Sequence, residues 1–363
     1  MDWVHSGDSH LVHPDRLWMD TLTIAESMRM PRSQWLSPTE QEIRVDGKIF
    51  HRTMPEPEEL SLTEDRLRPK GLSDLSHRLD DMTVEGVWAE VIYLSASTWI
   101  YQVEDQALLA KACAAINTWL AEEVVGAAPD RLVPAALLPI GDVERSLIAL
   151  DHLIDLGLHL VEFPVRGAVM HGDLHDPCWD PLWRRAAEAG VVIGFHGMVE
   201  SPEDAIDGPG GVVATYAMTH HAAQRVVAKL VGSGALDRHP DLKILISEAG
   251  AGWLPHFAET LEEGYLTQRP MVDIVYGRSP KDVVLEQVYV AFQHEPSTPA
   301  MCVAAGYENL LFGRDYPHAE GTWGETWEVL DDALAPLSAE DRERVLTGAF
   351  SQLFPHVQSV VAV

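Results

Sequence analysis

Two short stretches of this sequence carry ligand-type side chains at spacings that chemistry can use. Residues 3–13 read Trp-Val-His-Ser-Gly-Asp-Ser-His-Leu-Val-His, so Asp8 and His10 are two apart. On an extended chain such residues point to the same side. A carboxylate beside an imidazole at a strand end suits a metal ion. An isolated Asp-x-His also arises by chance, and Pro14 turns the chain just after a third candidate, His13. Residues 309–318 read Asn-Leu-Leu-Phe-Gly-Arg-Asp-Tyr-Pro-His. Here an apolar run ends in a carboxylate, Asp315, and Pro317 stops it. An acid at the edge of a core needs a metal, a cation or a set of hydrogen bonds to offset its desolvation. Capping the following turn is the plainer role.

Such residues need a scaffold that brings distant segments together. From residue 86 onward apolar runs alternate with helix-periodic segments. The runs lie at 86–95, 131–140, 158–164, 191–197, 242–248, 287–294 and 309–315. Helical spacing appears at 106–125, 143–156, 180–189, 221–232, 253–265, 299–305, 325–335 and 338–354. Continuous apolar runs are the mark of parallel strands buried on both faces. With the first strand there are eight βα units, which predicts an α/β chain closed into a (β/α)8 barrel of the TIM type. Residues 14–82 show little periodicity and hold Arg44, Arg52, Arg66, Arg68 and Arg78. They read as a long irregular insertion or lid after the first strand, inside one domain spanning 1–363. Its arginines suit a carboxylate substrate, or pairing with the abundant local acids.

In such a barrel chemistry sits where the strands end. The strand ends carry Asp8 and His10, then His196, Glu248, His294 and Asp315, while strands two to four end in Ser95, Pro139 and Pro164. His220 and His221 open the helix before strand six. Asp8, His10, His196 and Asp315 together offer two imidazoles and two carboxylates, a set suited to one divalent ion: zinc first, with manganese and iron as alternatives. Each residue also has a plainer reading. Glu248 precedes Ala-Gly-Ala-Gly-Trp and suits a cap for the helix at 253, and one of His220 and His221, like His318, suits a structural role.

Composition narrows the partners. The chain of 363 residues has 56 acidic against 26 basic residues and a formal net charge of −30. That sets it against nucleic acid and anionic membrane surfaces. Three widely spaced cysteines, Cys113, Cys178 and Cys302, form no disulfide framework and fit a reduced, cytoplasmic setting. No apolar run is long enough to span a bilayer, and the first residues lack a basic-then-apolar leader.

Five motifs then carry a resemblance that covers nearly the whole chain: Asp8-Ser-His-Leu-Val12, residues 183–197 ending in Phe-His-Gly, Gly234-Ala-Leu-Asp-Arg-His-Pro-Asp-Leu-Lys243, Ser247-Glu-Ala-Gly-Ala-Gly-Trp-Leu-Pro255, and Gly313-Arg-Asp-Tyr-Pro-His318. The chain resembles the amidohydrolase superfamily, in particular its branch similar to aminocarboxymuconate semialdehyde decarboxylase. The resemblance implies a mononuclear metal held at Asp8, His10, His196 and Asp315, and often a homodimer. It departs from the branch at Glu248, where decarboxylases usually carry a general acid/base histidine. It also has Asp-x-His where many have His-x-His or Glu-x-His, and His13 where relatives often have Glu.

The expected activity is non-oxidative removal of a carboxyl group from a small aromatic or unsaturated acid. Glu248 or His221 would protonate the carbon, with His294 as a further candidate at the site, and an arginine of the insertion or of a partner subunit would hold the substrate's charge. The alternative is hydrolysis of an amide, lactone or C–C bond, with a metal-activated water and Glu248 as base. A third reading, from a different class, is a barrel without metal that serves as a binding protein.

Overall fold

The structure is a computed structural model and describes residues 3–14, 16–53, 69–95, 97–165, 168–197, 206–271 and 273–357. Eight parallel strands form the centre: Val4–Ser6, Val87–Leu94, Leu132–Leu137, Leu160–Glu162, Val192–His196, Ile244–Ser247, Val288–Phe292 and Leu310–Phe312. Each pairs with the next, and the first pairs with both the eighth and the second, so the sheet closes. This is the (β/α)8 barrel expected. Beyond Ser6 the chain is extended again at His10–Leu11, which pairs with Tyr93 and Leu94 at the end of the second strand.

The strands are apolar on both faces because both faces are buried. Ala89, Val91, Val133, Ala135, Leu160, Val192, Leu245, Ala291 and Leu311 fill the lumen. Their strand neighbours, such as Ile92, Val161, Ile193, Ile246, Val290 and Phe312, pack under the helices. The helices start at side-chain caps where the sequence offers Asp or Ser: Asp105 before Gln106–Trp119, Asp142 before Val143–Asp155 and Ser279 before Pro280–Gln287. The last helix, Ala349–Leu353, adds Phe350, Leu353, Phe354 and Val357 to the lumen cluster. It lies at the N-terminal rim of the strands, where Lys243 Nζ donates to the Gln352 carbonyl and His159 stacks on His356 at 3.9 Å. None of the described helices is long and apolar enough to cross a membrane.

The segment after the first strand is more ordered than its lack of periodicity suggests. Helices Leu17–Thr21 and Ile24–Ser27 lead into an antiparallel sheet of Arg32–Trp35, Glu40–Val45 and Lys48–Thr53. Its hairpin turns at Asp46 and Gly47, both at positive φ (49° and 78°), the mirror-image turn that suits strand twist. Arg29 ties this sheet to Asp46 at 2.7 Å and to Asp105 at 3.2 Å, and Lys48 pairs with Glu104 at 2.9 Å. Helix Leu75–Val84 then leads into the second barrel strand. Arg66 and Arg68 lie outside the described residues.

One lumen residue gives a stability prediction. His5 is 1% exposed, packs edge-on against Phe350 at 4.9 Å, and neither ring nitrogen has a hydrogen-bond partner. Burial pushes its imidazole down to about 4 from an ordinary 6.5. The unfolded chain therefore takes up the proton first, so this stability is complete above pH 6.5 and lost as pH falls towards 4. His5→Leu should gain about 2–3 kcal/mol relative to wild type between pH 7.5 and 4.5. Urea unfolding of both proteins at the two pH values checks this; a pH-independent difference between them would refute it.

Candidate metal centre

Strand parity brings the ligand-type residues to one place. Gly194 and His196 follow Val192 on the lumen side of the fifth strand; Gly313 and Asp315 follow Leu311 on the eighth. Glycine leaves room at two of these lumen positions. A Cβ on Gly313 would lie 3.2 Å from the Asp8 Cβ and the Ala291 Cβ, and one on Gly194 would lie 2.9 Å from the Tyr93 hydroxyl. Two ligand-type residues just past their strands, Glu248 and Asp315, sit at positive φ of 57° and 50°. This backbone conformation costs on the order of 1 kcal/mol or more for a non-glycine residue.

The result is a compact ring of donors. His196 Nε2 lies 3.2 Å from Asp8 Oδ1 and 3.3 Å from Glu248 Oε2. His10 Nε2 lies 3.0 Å from Asp315 Oδ1 and 4.0 Å from Asp8 Oδ1. Asp8, His10 and Asp315 are all buried. Asp8 Oδ1, His196 Nε2 and His318 Nδ1 are buried yet lack a hydrogen-bond partner. Buried polar atoms left without partners are rare. Here Asp8 Oδ1 and His196 Nε2 face each other at 3.2 Å, and His318 Nδ1 faces Asp315 Oδ1 at 2.8 Å, which is how a donor set looks around the position of a cation. The ligand atoms of Asp8, His10 and His196 lie within 4.8 Å of one another, as do those of His10, Asp315 and His318.

The electrostatics agree. Burial raises the Asp8 carboxyl against the pull of His196. Burial also pushes Glu248 up to about 7, with Asp315 and Asp8 adding to the rise and His196 opposing it. His10 is pushed down to about 3 by burial and by the charge of His318. Burial works against a charged His196, but Asp8 and Glu248 carry it up to about 10. Asp315, though buried, is held well below the usual range by its hydrogen bond with His10 and by the charge of His318.

The other candidates are not among the ligand atoms of the ring. His294 follows Phe292, whose side chain faces the helices, so its own side chain turns outward and its Nε2 lies 2.8 Å from the Glu320 carbonyl oxygen. Gln293 takes the inward direction, and its Nε2 donates to Asp315 Oδ2 at 2.9 Å. His221 opens helix His220–Gly232, where its ring packs on His220 at 4.5 Å, outside the donor ring. His13 packs against Trp18. Sequence reasoning passed over Tyr93, whose ring lies 4.2 Å under His196 and whose hydroxyl is 3.1 Å from Ser247 Oγ. It also passed over Glu162, a buried acid ending the fourth strand, whose charge helps hold His196 protonated. An acid inside the apolar run Leu-Val-Glu-Phe was its signal.

Behind the ring lies a buried ion network. Arg78 and Arg314, each fully buried, grip the two oxygens of Glu90, Arg314 at 2.7 Å. Arg78 also donates to the His10 carbonyl and to Ser9 Oγ, and both guanidiniums lie over the Tyr316 ring, at 5.1 and 4.5 Å. The network thus joins the neighbours of His10 to the neighbours of Asp315. Arg78 is therefore engaged behind the site, and Arg44 pairs with Glu42 at 2.6 Å. Glu90→Gln leaves two buried cations short of their partner and should cost about 3–5 kcal/mol. The urea midpoint measures it, and a loss under 1 kcal/mol would show that the network is solvated in solution.

A closed (β/α)8 barrel with an imidazole–carboxylate ring at the C-terminal ends of its strands defines a class of metal-dependent enzymes. Residues 87–349 match the amidohydrolase family, and the chain belongs to it. The match includes His196, Glu248 and Asp315; Asp8 and His10 lie before it. The chain is 27% identical over 254 residues to decarboxylase orsB of Emericella nidulans, covering 65% of this chain and 74% of that one. It is 28% identical over 275 residues to a gamma-resorcylate decarboxylase of a Rhizobium species, covering 70% and 82%. Its fold is shared, at TM-score 0.68 and 19% identity over 99% of this chain and 98% of the other, with a dihydroxybenzoic acid decarboxylase from a Polaromonas species. That structure holds manganese and the inhibitor 2-nitroresorcinol.

Proposed function

We propose that this amidohydrolase-family enzyme removes the carboxyl group of a small aromatic acid with the help of one divalent ion held by Asp8, His10, His196 and Asp315. The observation that carries the reading is the unpartnered pair Asp8 Oδ1 and His196 Nε2, facing each other inside the ring. The names of the relatives favour a hydroxybenzoate over the aminocarboxymuconate semialdehyde suggested by the motifs. Manganese in the Polaromonas protein moves manganese ahead of zinc as the ion. Carboxylate oxygens with imidazole nitrogens accommodate either.

Bound there, a divalent ion supplies positive charge to attract and orient the substrate's carboxylate and a neighbouring oxygen. The residues do the rest. Gln293 holds Asp315 through its Oδ2. The Tyr93 ring supports the plane of His196. Glu248, its carboxyl raised to about 7 chiefly by burial, is placed to hold a proton next to His196. It would deliver that proton to the ring carbon that bears the carboxylate. The C–C bond breaks, CO2 leaves, and Glu248 is left ionised until water reprotonates it.

A second reading rests on Glu248 as well. As a carboxylate it would take a proton from water, which suits hydrolysis of an amide, lactone or C–C bond. Supplying manganese and a panel of hydroxybenzoates, and following CO2 release, separates the two. Release of CO2 supports decarboxylation; acid release from lactones or amides, with no CO2 from any aromatic acid, would overturn it.

Around the site we infer one domain over 1–363 with 14–82 as an insertion, and a second copy of the chain as the macromolecular partner. The three free cysteines and the strong negative charge support a cytoplasmic protein without nucleic-acid partners.

A further inference from the structure

We propose that helix Leu75–Val84 positions the metal ligands from outside the barrel, and that the bond from Tyr316 to Asp81 is the contact through which it holds Asp315. The inference rests on the ion of the proposed function. Three of the four ligands proposed for that ion, Asp8, His10 and Asp315, lie along the seam where the eighth strand meets the first. Few backbone contacts carry this seam. Ser6 stands opposite Phe312 and Ser9 opposite Tyr316. The Gly7 N–H donates to the Phe312 carbonyl at 2.7 Å, the Asp315 N–H to the Asp8 carbonyl at 3.1 Å, and the His10 N–H to the Tyr316 carbonyl at 2.7 Å. The spacing of the ligands therefore follows the spacing of the two strands. Asp315 also sits at a φ of 50°, and a residue in that region stays there only where its surroundings hold it.

The helix supplies that hold. Arg78, Asp81 and Glu85 recur at the i, i+3, i+7 spacing that puts them on one helix face. Arg78 reaches the first strand, donating to the His10 carbonyl and to Ser9 Oγ. Glu85, at the end of the helix, reaches the loop beyond the eighth strand. Its carboxylate accepts from the Gly324 N–H and, at 2.8 Å, from the Thr326 hydroxyl, and its carbonyl accepts from the Trp327 indole N–H at 2.8 Å. Asp81 stands between them and accepts from the Tyr316 hydroxyl at 2.6 Å. Tyr316 follows Asp315 directly and is fully buried, with both Arg78 and Arg314 over its ring. Space is kept for this bond: a Cβ on Gly71 would lie 2.4 Å from the Tyr316 hydroxyl and 2.9 Å from Asp81 Oδ2. Asp81 is not among the donors of the ring, so its effect on the ion runs through Tyr316 and Asp315. Residues that orient a metal ligand in this way change metal affinity by about 10–100-fold.

The test is manganese binding to the full chain, read as a dissociation constant and as the electron paramagnetic resonance of the bound ion, with circular dichroism to confirm the fold. Tyr316→Phe removes one hydroxyl and keeps the ring. It should bind manganese about 10–100-fold more weakly than wild type, with broadened resonance lines. Asp81→Leu breaks the same bond from the half-buried helix side and should weaken binding alike. The double variant should be no weaker than either single one, because all three lose one shared contact. Asp81→Asn keeps an acceptor oxygen and should retain the binding and line shape of wild type.

Unchanged binding and line shape in Tyr316→Phe and Asp81→Leu would overturn the inference and leave the proposed function standing. So would losses that simply add in the double variant, or an Asp81→Asn as weak as Asp81→Leu, since either marks a general loosening of the fold. A wild-type chain that binds no manganese would sink the proposed function and this inference with it.

Discussion

His196→Ala should leave a folded barrel with no tightly bound metal and no measurable turnover. The imidazole stands between Asp8 and Glu248, at 3.2 and 3.3 Å, and alanine reaches neither. Even residues that merely orient a metal ligand change affinity by about 10–100-fold, so removing a ligand should exceed that. Loss of the ion removes several kcal/mol of charge stabilisation, and each 1.36 kcal/mol is about tenfold in rate. Asp315→Ala should behave alike, because its carboxylate touches both His10 and His318. The control is His294→Ala, whose side chain faces away from the ring and should retain metal and most activity. Metal content by elemental analysis, beside circular dichroism to confirm folding, decides the matter. Full occupancy in His196→Ala would mean that the ion sits elsewhere.

The second large effect belongs to Glu248→Gln. The substitution preserves shape and removes a transferable proton. Loss of a positioned acid typically lowers rate by about 10²–10⁴-fold. The metal should remain, since Asp8, His10, His196 and Asp315 are untouched. A variant with bound metal and unchanged kcat would remove Glu248 from proton transfer; the residue does not cap the helix beginning at Leu254, which has no side-chain cap. The pairing of kept metal with lost turnover separates proton transfer from metal binding, which His196→Ala cannot do.

How much of this could be read from the sequence varies with the distance over which its cause acts. The barrel was legible because burial on both faces writes an apolar run into each strand, with no need to know its neighbours. The positions of Asp8, His10, His196 and Asp315 followed from strand ends, which are local. His294 illustrates the limit: period-two alternation from Tyr289 and Ala291 points to Gln293, and a strand drawn two residues too long obscured it. The Asp46–Gly47 pair was a legible hairpin signal in a stretch read as irregular. By contrast, no local pattern shows that Arg78 and Arg314 meet on Glu90, or that His318 stacks on His10. Such contacts depend on how the whole barrel closes.

The filled lumen, with Phe350 and Phe354 packed at its N-terminal rim, also governs traffic. A lumen packed with side chains leaves the site to be reached from the C-terminal ends of the strands. Substrate, product and escaping CO2 must all pass on that side, and an aromatic product left behind occupies the place of the next substrate. Inhibition by product should therefore be competitive, and the pace of turnover at high product concentration is set by how quickly that side clears.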